Sequence, residues 1–573
     1  MTRPYSGAPQ PRRPWRTIVA AMRDPARSEF AFVPHQYIYA PLELSDDSLS
    51  PSETTPINAR KDWEERPAKL HSNRFFVLHV IAIGLSGFCC TWLALFPISP
   101  NRLYNMQVDV FNTNHDHTNF FFKPCLYLGH VLGAAVAGVL GERLGRAGSL
   151  ELAAIPYIIG WLLVGVAYGE VTVLIGRYLL GAATGMMMVI APVYLAEVSA
   201  TAVRGRVLCV QALIAGLGRL CYLGVGALFI YLSRSYLGFN LSEWKVLAMS
   251  GLVPGFALLL TMQCLPDSPT WLVRRHSDHE AAFGILVKLF GGDSKSAENQ
   301  VNAIIHADAL AKQSRGPHRG AFFRPLLLCC ALFGLRAIAT SLLEPTLSPT
   351  TARSFQVTLL GVGLDVGEVE LLYVMTFMWA ASSVGVVTCF LLIDLRGRLV
   401  ALRAGCCVVA GCMCLLPASA YKAQTMSFHA TDCSSAAMLL VIAGHNLGLG
   451  VVPVVVASEL FPARLRMSAM SVVVICEALV KCGLSYGMPR LRDHLSFVQL
   501  FALSALIVML CNLLAVLLSW FSMPETSRRS LQEIEAILSG WLPATPQLGF
   551  SRGNVRVGYA GNAPTMPRLK YGT

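Results

Sequence analysis

The stretch Gly138-Val139-Leu140-Gly141-Glu142-Arg143-Leu144-Gly145-Arg146 and its echo Ile393-Asp394-Leu395-Arg396-Gly397-Arg398 decide the fold. Each closes one apolar run and opens the next, with an acid four residues before an Arg and a Gly just ahead of that Arg. Two more features repeat. Glu197 stands seven residues before Arg204, as Glu459 does before Arg466, and Pro266-Asp267-Ser268-Pro269 has its counterpart in Met523-Pro524-Glu525-Thr526. The offsets Glu142 to Asp394, Glu197 to Glu459 and Asp267 to Glu525 are 252, 262 and 258 residues. Three loop features repeated at nearly one offset read as two copies of one unit. The Lys/Arg enrichment of loops on one side of a membrane explains the Arg but not the matched acids beside them.

Between these loops the chain is apolar. Of 573 residues 14% are charged, 54% are hydrophobic, and mean hydropathy is +0.53. An ordinary soluble domain has roughly 25% charged residues, so a soluble enzyme, a coiled coil and a disordered scaffold are excluded. About twelve runs reach the roughly 20 residues needed to cross a bilayer. They lie near 75–96, 120–141, 150–168, 171–196, 207–232, 245–265, 325–343, 371–393, 400–416, 437–460, 468–486 and 497–522. The expected fold is an all-α polytopic membrane protein with twelve transmembrane helices in two parallel-repeat six-helix bundles. Gly129, Gly133 and Gly138 should let a neighbouring helix approach closely.

The expected organisation is a disordered N-terminal tail (1–74), a first bundle (75–272), a linker of short helices (273–323), a second bundle (324–523) and a C-terminal tail (524–573). Arg follows every even-numbered run: Arg143 and Arg146, Arg204 and Arg206, Arg274 and Arg275, Arg396, Arg398 and Arg403, Arg464 and Arg466, Arg528 and Arg529. Both termini are therefore expected in the cytoplasm, and the net charge of +12 reflects these loops rather than nucleic-acid binding. Asn240-Leu241-Ser242 is a glycosylation sequon in the expected outer loop. No apolar segment follows Met1, so no signal peptide is expected. The Arg-rich first 27 residues suit a tail with affinity for anionic lipid, or else a transit peptide. The 17 Cys show no metal-ligand spacing, and neither phosphate loop nor catalytic triad is legible. No enzyme activity, metal, cofactor or obligate protein partner is expected beyond the lipid bilayer and a small-molecule solute.

Five segments, taken together, resemble the sugar porter family of the major facilitator superfamily. They are Gly138 to Arg146, Gly176-Arg177 through Pro192 to Glu197 and on to Arg204-Gly205, Pro266 to Leu272, Asp394 to Arg398, and Pro524 to Glu535. Glu142 stands where that family has Asp, and Thr270 where it has Arg. The resemblance implies alternating access, with a gate or latch at the cytoplasmic helix ends. Gly138, Glu142, Arg143, Gly145, Arg146, Glu197 and Arg204 would belong to the first half's latch. Asp394, Gly397, Arg398, Glu459 and Arg466 would belong to the second's, with Pro524, Glu525 and Thr526 closing it.

The resemblance also implies a solute site midway through the membrane, and there the chain departs from it. The family's paired Gln of the seventh helix fall on Arg336 and Ala337, and its Asn on Leu342. The tenth-helix Trp becomes Val454 and an upstream acid becomes Asn446. The eleventh-helix Asn-Trp becomes Glu477-Ala478. Candidate binding residues are Gln211, Arg336, Ser382, His445, Asn446, Glu477 and Lys481. Glu477 and Lys481 share a helix face. Charges at bilayer centre cost about 2.5–3.5 kcal/mol each, so these three should face the interior. They form either a structural Arg336–Glu477 bridge with Lys481 snorkelling, or a site for a polar or anionic solute. His79 and His130 read as packing residues. The leading expectation is a transporter of a sugar or polyol by facilitated diffusion, because the first helix lacks the acid that proton-coupled relatives carry there. The alternatives are an organic-ion carrier using Arg336, Glu477 and Lys481, and a nutrient sensor that does not transport. The plasma membrane is the expected location, with an endomembrane as the alternative.

Overall fold

The computed structural model describes residues 74–94, 117–235, 243–313, 319–343, 368–423, 428–495, 497–531 and 533–534. The sequon at Asn240 and the tails 1–73 and 535–573 lie outside the described residues. Spans 1 to 5 are Arg74–Ala94, His117–Arg143, Arg146–Gly165, Glu170–Val198 and Arg204–Ser235. Span 6 runs through Glu243–Ser250 and Leu252–Cys264. Spans 7, 8 and 9 are Arg319–Leu343, Glu368–Leu392 and Arg398–Ala423. Span 10 is broken into Phe428–Leu447 and Val452–Leu460, and spans 11 and 12 are Arg466–His494 and Phe497–Phe521. Among the described residues 11 helices are long and apolar enough to cross a membrane. The helix of span 9, with 26 residues, fills the remaining place in the order.

The sequence boundaries hold to a few residues, except where a span outruns its apolar core. Span 7 begins at Arg319 rather than 325 and span 10 at Phe428 rather than 437, span 9 runs on to Ala423, and span 11 continues through Pro489 and Arg490 to His494. Once inside a packed bundle, helical hydrogen bonding continues past the last apolar residue. Span 10 breaks at Gly448-Leu449-Gly450 because Gly405 of span 9 lies against the Gly444 carbonyl and Gly448, and Pro453 supplies no N–H to bridge the gap.

The packing repeats as the loops do. In the first half, span 2 packs on 4, 3 on 4, 1 on 5, 3 on 6 and 1 on 6. Adding six to each number gives the packing of the second half: 8 on 10, 9 on 10, 7 on 11, 9 on 12 and 7 on 12. The halves meet through span 2 on span 11 and span 5 on span 8, which exchange under the same rule. Close helix approach is built from Gly: a Cβ at Gly129 would overlap the Tyr178 carbonyl, one at Gly133 the Ala182 carbonyl, and one at Gly138 would lie 2.6 Å from Ser471 Oγ across the two halves. The expectation for these three glycines is met.

Candidate functional site: a latch and a charged cluster between the halves

At the end of the molecule where spans 2 and 8 finish, the two loop motifs build the same structure twice. Gly145 and Gly397 take positive φ, 86° and 102°, which turns the chain so that Arg146 and Arg398 point back under the preceding helix. The Asp267 carboxylate accepts from Ala147 N at 2.9 Å, and Glu525 accepts from Arg398 N and Leu399 N at 3.0 and 3.1 Å. These acids serve orphan N–H groups at the starts of spans 3 and 9, where the helix dipole favours negative charge. A Cβ at either Gly would press on that acid.

Inside each turn sits a buried ion pair. Arg146 Nε lies 3.0 Å from Glu197, and Arg398 Nη2 lies 3.0 Å from Glu459. Ser268 donates to Glu197, and Thr526 donates to Glu459 at 2.6 Å. Each carboxylate is therefore satisfied on both oxygens in a place where an unpaired charge costs several kcal/mol.

The two copies are joined across the halves. Arg466 crosses to Glu197 of the first half at 3.5 Å. Arg204 crosses to the second half and donates to the Arg529 carbonyl at 3.2 Å. Arg206 holds Asp394 through its backbone N at 2.9 Å and its Nε at 3.3 Å, and Arg274 donates to the Ala463 carbonyl at 2.6 Å. The reason is topological. Spans 5 and 11 are the interface helices, so their first-turn side chains face the partner half. Glu142 is half-buried, 3.2 Å from Arg146 and 3.9 Å from Arg274, while Arg143 is exposed. In this structure the halves are clasped at the latch end.

Burial pushes the Asp267 carboxyl from 3.8 up to about 6. A raised acid contributes stability that is present below its unfolded pKa and lost as pH rises through the folded one. Asp267 should therefore add a fall in stability from about pH 4 to about 6. Asp267→Asn should flatten that part of the profile in thermal melts of the purified protein; an unchanged slope would contradict it.

Farther along the interface lies the charged cluster. Glu477 of span 11 is bound on one oxygen by Arg336 of span 7 at 3.0 Å and on the other by Lys481 at 2.9 Å. The side chain of Glu477 is 2% exposed, those of Arg336 and Lys481 17% each. Lys481 therefore does not snorkel as in the bridge reading; the acid one turn below captures its ammonium. Thr340, one turn beyond Arg336, meets His445 Nε2 of span 10 at 3.2 Å. Across the interface, His130 of span 2 meets Thr184 of span 4 at 2.7 Å, within electrostatic reach of both Lys481 and Glu477.

The other candidates turn elsewhere. Gln211 donates to Ser86 of span 1 at 3.3 Å, and Asn446 gives its amide to the Ile442 carbonyl of its own helix at 2.9 Å. Buried Ser382 accepts from Arg219 of span 5 at 3.3 Å, and that guanidinium lies 4.8 Å over the Trp379 ring. Sequence reasoning passed over Arg219, although a cation 15 residues into an apolar helix was a legible signal. His79 is buried edge-on against Tyr194, as a packing residue would be. Among the described residues no group of His, Cys, Asp and Glu could hold a metal ion.

Among the described residues, 11 helices long and apolar enough to cross a membrane and the helix of span 9 form two like-folded halves with a charged cluster between them, the fold of a multi-pass membrane protein. The chain belongs to the family described as sugar (and other) transporter, whose model matches residues 77–538. Among its relatives in Arabidopsis thaliana, sugar transporter ERD6-like 16 is 25% identical over 431 residues, 73% of this chain and 82% of the relative. Plastidic glucose transporter 4 is 26% identical over 429 residues, 72% of each. In fold the chain is similar to the proton:xylose symporter XylE bound to 6-bromo-6-deoxy-D-glucose, with TM-score 0.69 at 21% identity over 81% of this chain and 100% of that one.

Proposed function

We propose that the chain carries a sugar or polyol across a membrane by alternating access, with residues 75–272 and 324–523 swinging as two bodies and 273–323 as the linker on the latch side. The observation that carries this reading is the pairing of a cross-half latch with a polar cluster farther along the same interface. Breaking Arg466–Glu197 and Arg206–Asp394 would open the cluster to the latch side, and making them would close it. The basic loops all fall on the latch side, which supports placing that side and both termini in the cytoplasm. The plasma membrane is the proposed location.

The mode proposed is facilitated diffusion. Span 1, Arg74–Ala94, contains no acid, and the acid of the midway cluster is held by two cations, a poor arrangement for a proton carrier. Uptake of labelled glucose, myo-inositol and glucuronate into proteoliposomes tests both parts. The expected result is saturable uptake of at least one solute at a rate that ignores an imposed pH gradient. Uptake that needs the gradient would contradict the mode; no uptake of any would contradict the function.

A further inference from the structure

Resting on the transport reading, the midway cluster points to a substrate class. We propose that the carried solute is a polyol bearing an oxyanion, a carboxylate or phosphate, which seats against Arg336 and Lys481 while its hydroxyls meet Thr340, His445 and the His130–Thr184 pair.

The cluster holds two cations and one carboxylate, a net +1. The acid is sealed at 2% exposure while both cations keep 17%, so the accessible face is cationic. Arg336 spends Nη1 on Glu477, its Nε is buried, and its Nη2 remains. Lys481 spends one N–H on Glu477 and keeps two. An oxyanion can take these remaining donors in the way guanidinium and ammonium groups bind carboxylate and phosphate, and it would neutralise the excess charge within the membrane. A neutral sugar would leave that charge uncompensated. The hydroxyl partners stand on both sides of the interface: Thr340 and His445 in the second half, His130 and Thr184 in the first. A solute spanning them is exposed to one side or the other as the halves rock.

Competition tests it on the intact protein in proteoliposomes and, for binding, in detergent by intrinsic Trp fluorescence. The probes are glucose, glucuronate and glucose 6-phosphate. The expected result is that one or both anionic probes bind about tenfold or more tighter than glucose, that high salt weakens this preference, and that Arg336→Gln cuts the anion-to-glucose affinity ratio about tenfold while Arg336→Lys keeps part of it. Glucuronate against glucose 6-phosphate tells carboxylate from phosphate. Glucose bound and carried as well as both anions would overturn the oxyanion and leave transport standing. No probe bound or carried would overturn both. The wild-type comparison decides the matter even if Arg336→Gln fails to fold.

Discussion

Replacing Glu197 by Gln should destabilise the protein by about 3–5 kcal/mol and shift it toward the state open at the latch end. Glu197 binds an arginine from each half, Arg146 at 3.0 Å and Arg466 at 3.5 Å, as Asp394 does with Arg398 at 3.0 Å and Arg206 at 3.3 Å. An amide keeps the shape but removes the buried charge that both guanidinium groups share, leaving Arg146 the half-buried Glu142 at 3.2 Å. The state in which the halves part lets water reach both, so the cost falls on the clasped form. Labelling of Cys209, buried five residues above Arg204 at the interface, reads the shift. Its alkylation by N-ethylmaleimide should quicken by about tenfold or more, the change that about 1.4 kcal/mol of differential stability gives. Glu459→Gln should destabilise comparably but move labelling less, because its ion pair with Arg398 lies within one half. Equal labelling in both variants would contradict the crossed latch.

The second large effect is expected at Glu477. Glu477→Gln leaves Arg336 and Lys481, both bound to one carboxylate in the structure, as like charges inside the membrane. The expected loss is about 3–5 kcal/mol, seen as a lower melting temperature and poorer recovery from detergent. Adding Lys481→Met to Glu477→Gln should return part of it, because the repulsion goes with the ammonium. The coupling between the two substitutions should fall within about 0.5–3 kcal/mol, as for residues in direct contact. A Glu477→Gln protein within about 0.5 kcal/mol of wild type would mean that water, not the acid, compensates the cations.

The fold was legible because its determinants are local and repeated. Apolar length gave the spans, and the recurrence of Gly-Arg turns, acids and Pro loops gave the duplication, which the packing reproduces helix for helix. The latch residues were legible for the same reason, since Gly145 and Gly397 must turn the chain and each Arg must find its acid. What sequence could not supply was direction across the interface. Glu197 to Arg204 is a short step along the chain, yet Glu197 bonds Arg466 and Arg204 reaches Arg529, because helix facing is set by tertiary packing. The charged cluster was legible because charge cannot face lipid cheaply, and Arg336, Glu477 and Lys481 do meet in the structure. Polar contacts were poorly legible. Gln211 and Asn446 satisfy their amides on nearby backbone or a neighbouring span, while Thr340 and Thr184 became visible only as partners.

The central claim, that the halves swing apart at the latch end to release solute, is tested most directly at Cys209 and Cys389. Their sulfurs lie 4.0 Å apart across spans 5 and 8, so oxidation of the two thiols by oxygen with copper phenanthroline ties the halves together. Solute counterflow in proteoliposomes should stop as the Cys209–Cys389 peptide accumulates, return with dithiothreitol, and be spared in Cys209→Ser. Counterflow that continues at full rate with the cross-link complete would contradict that claim.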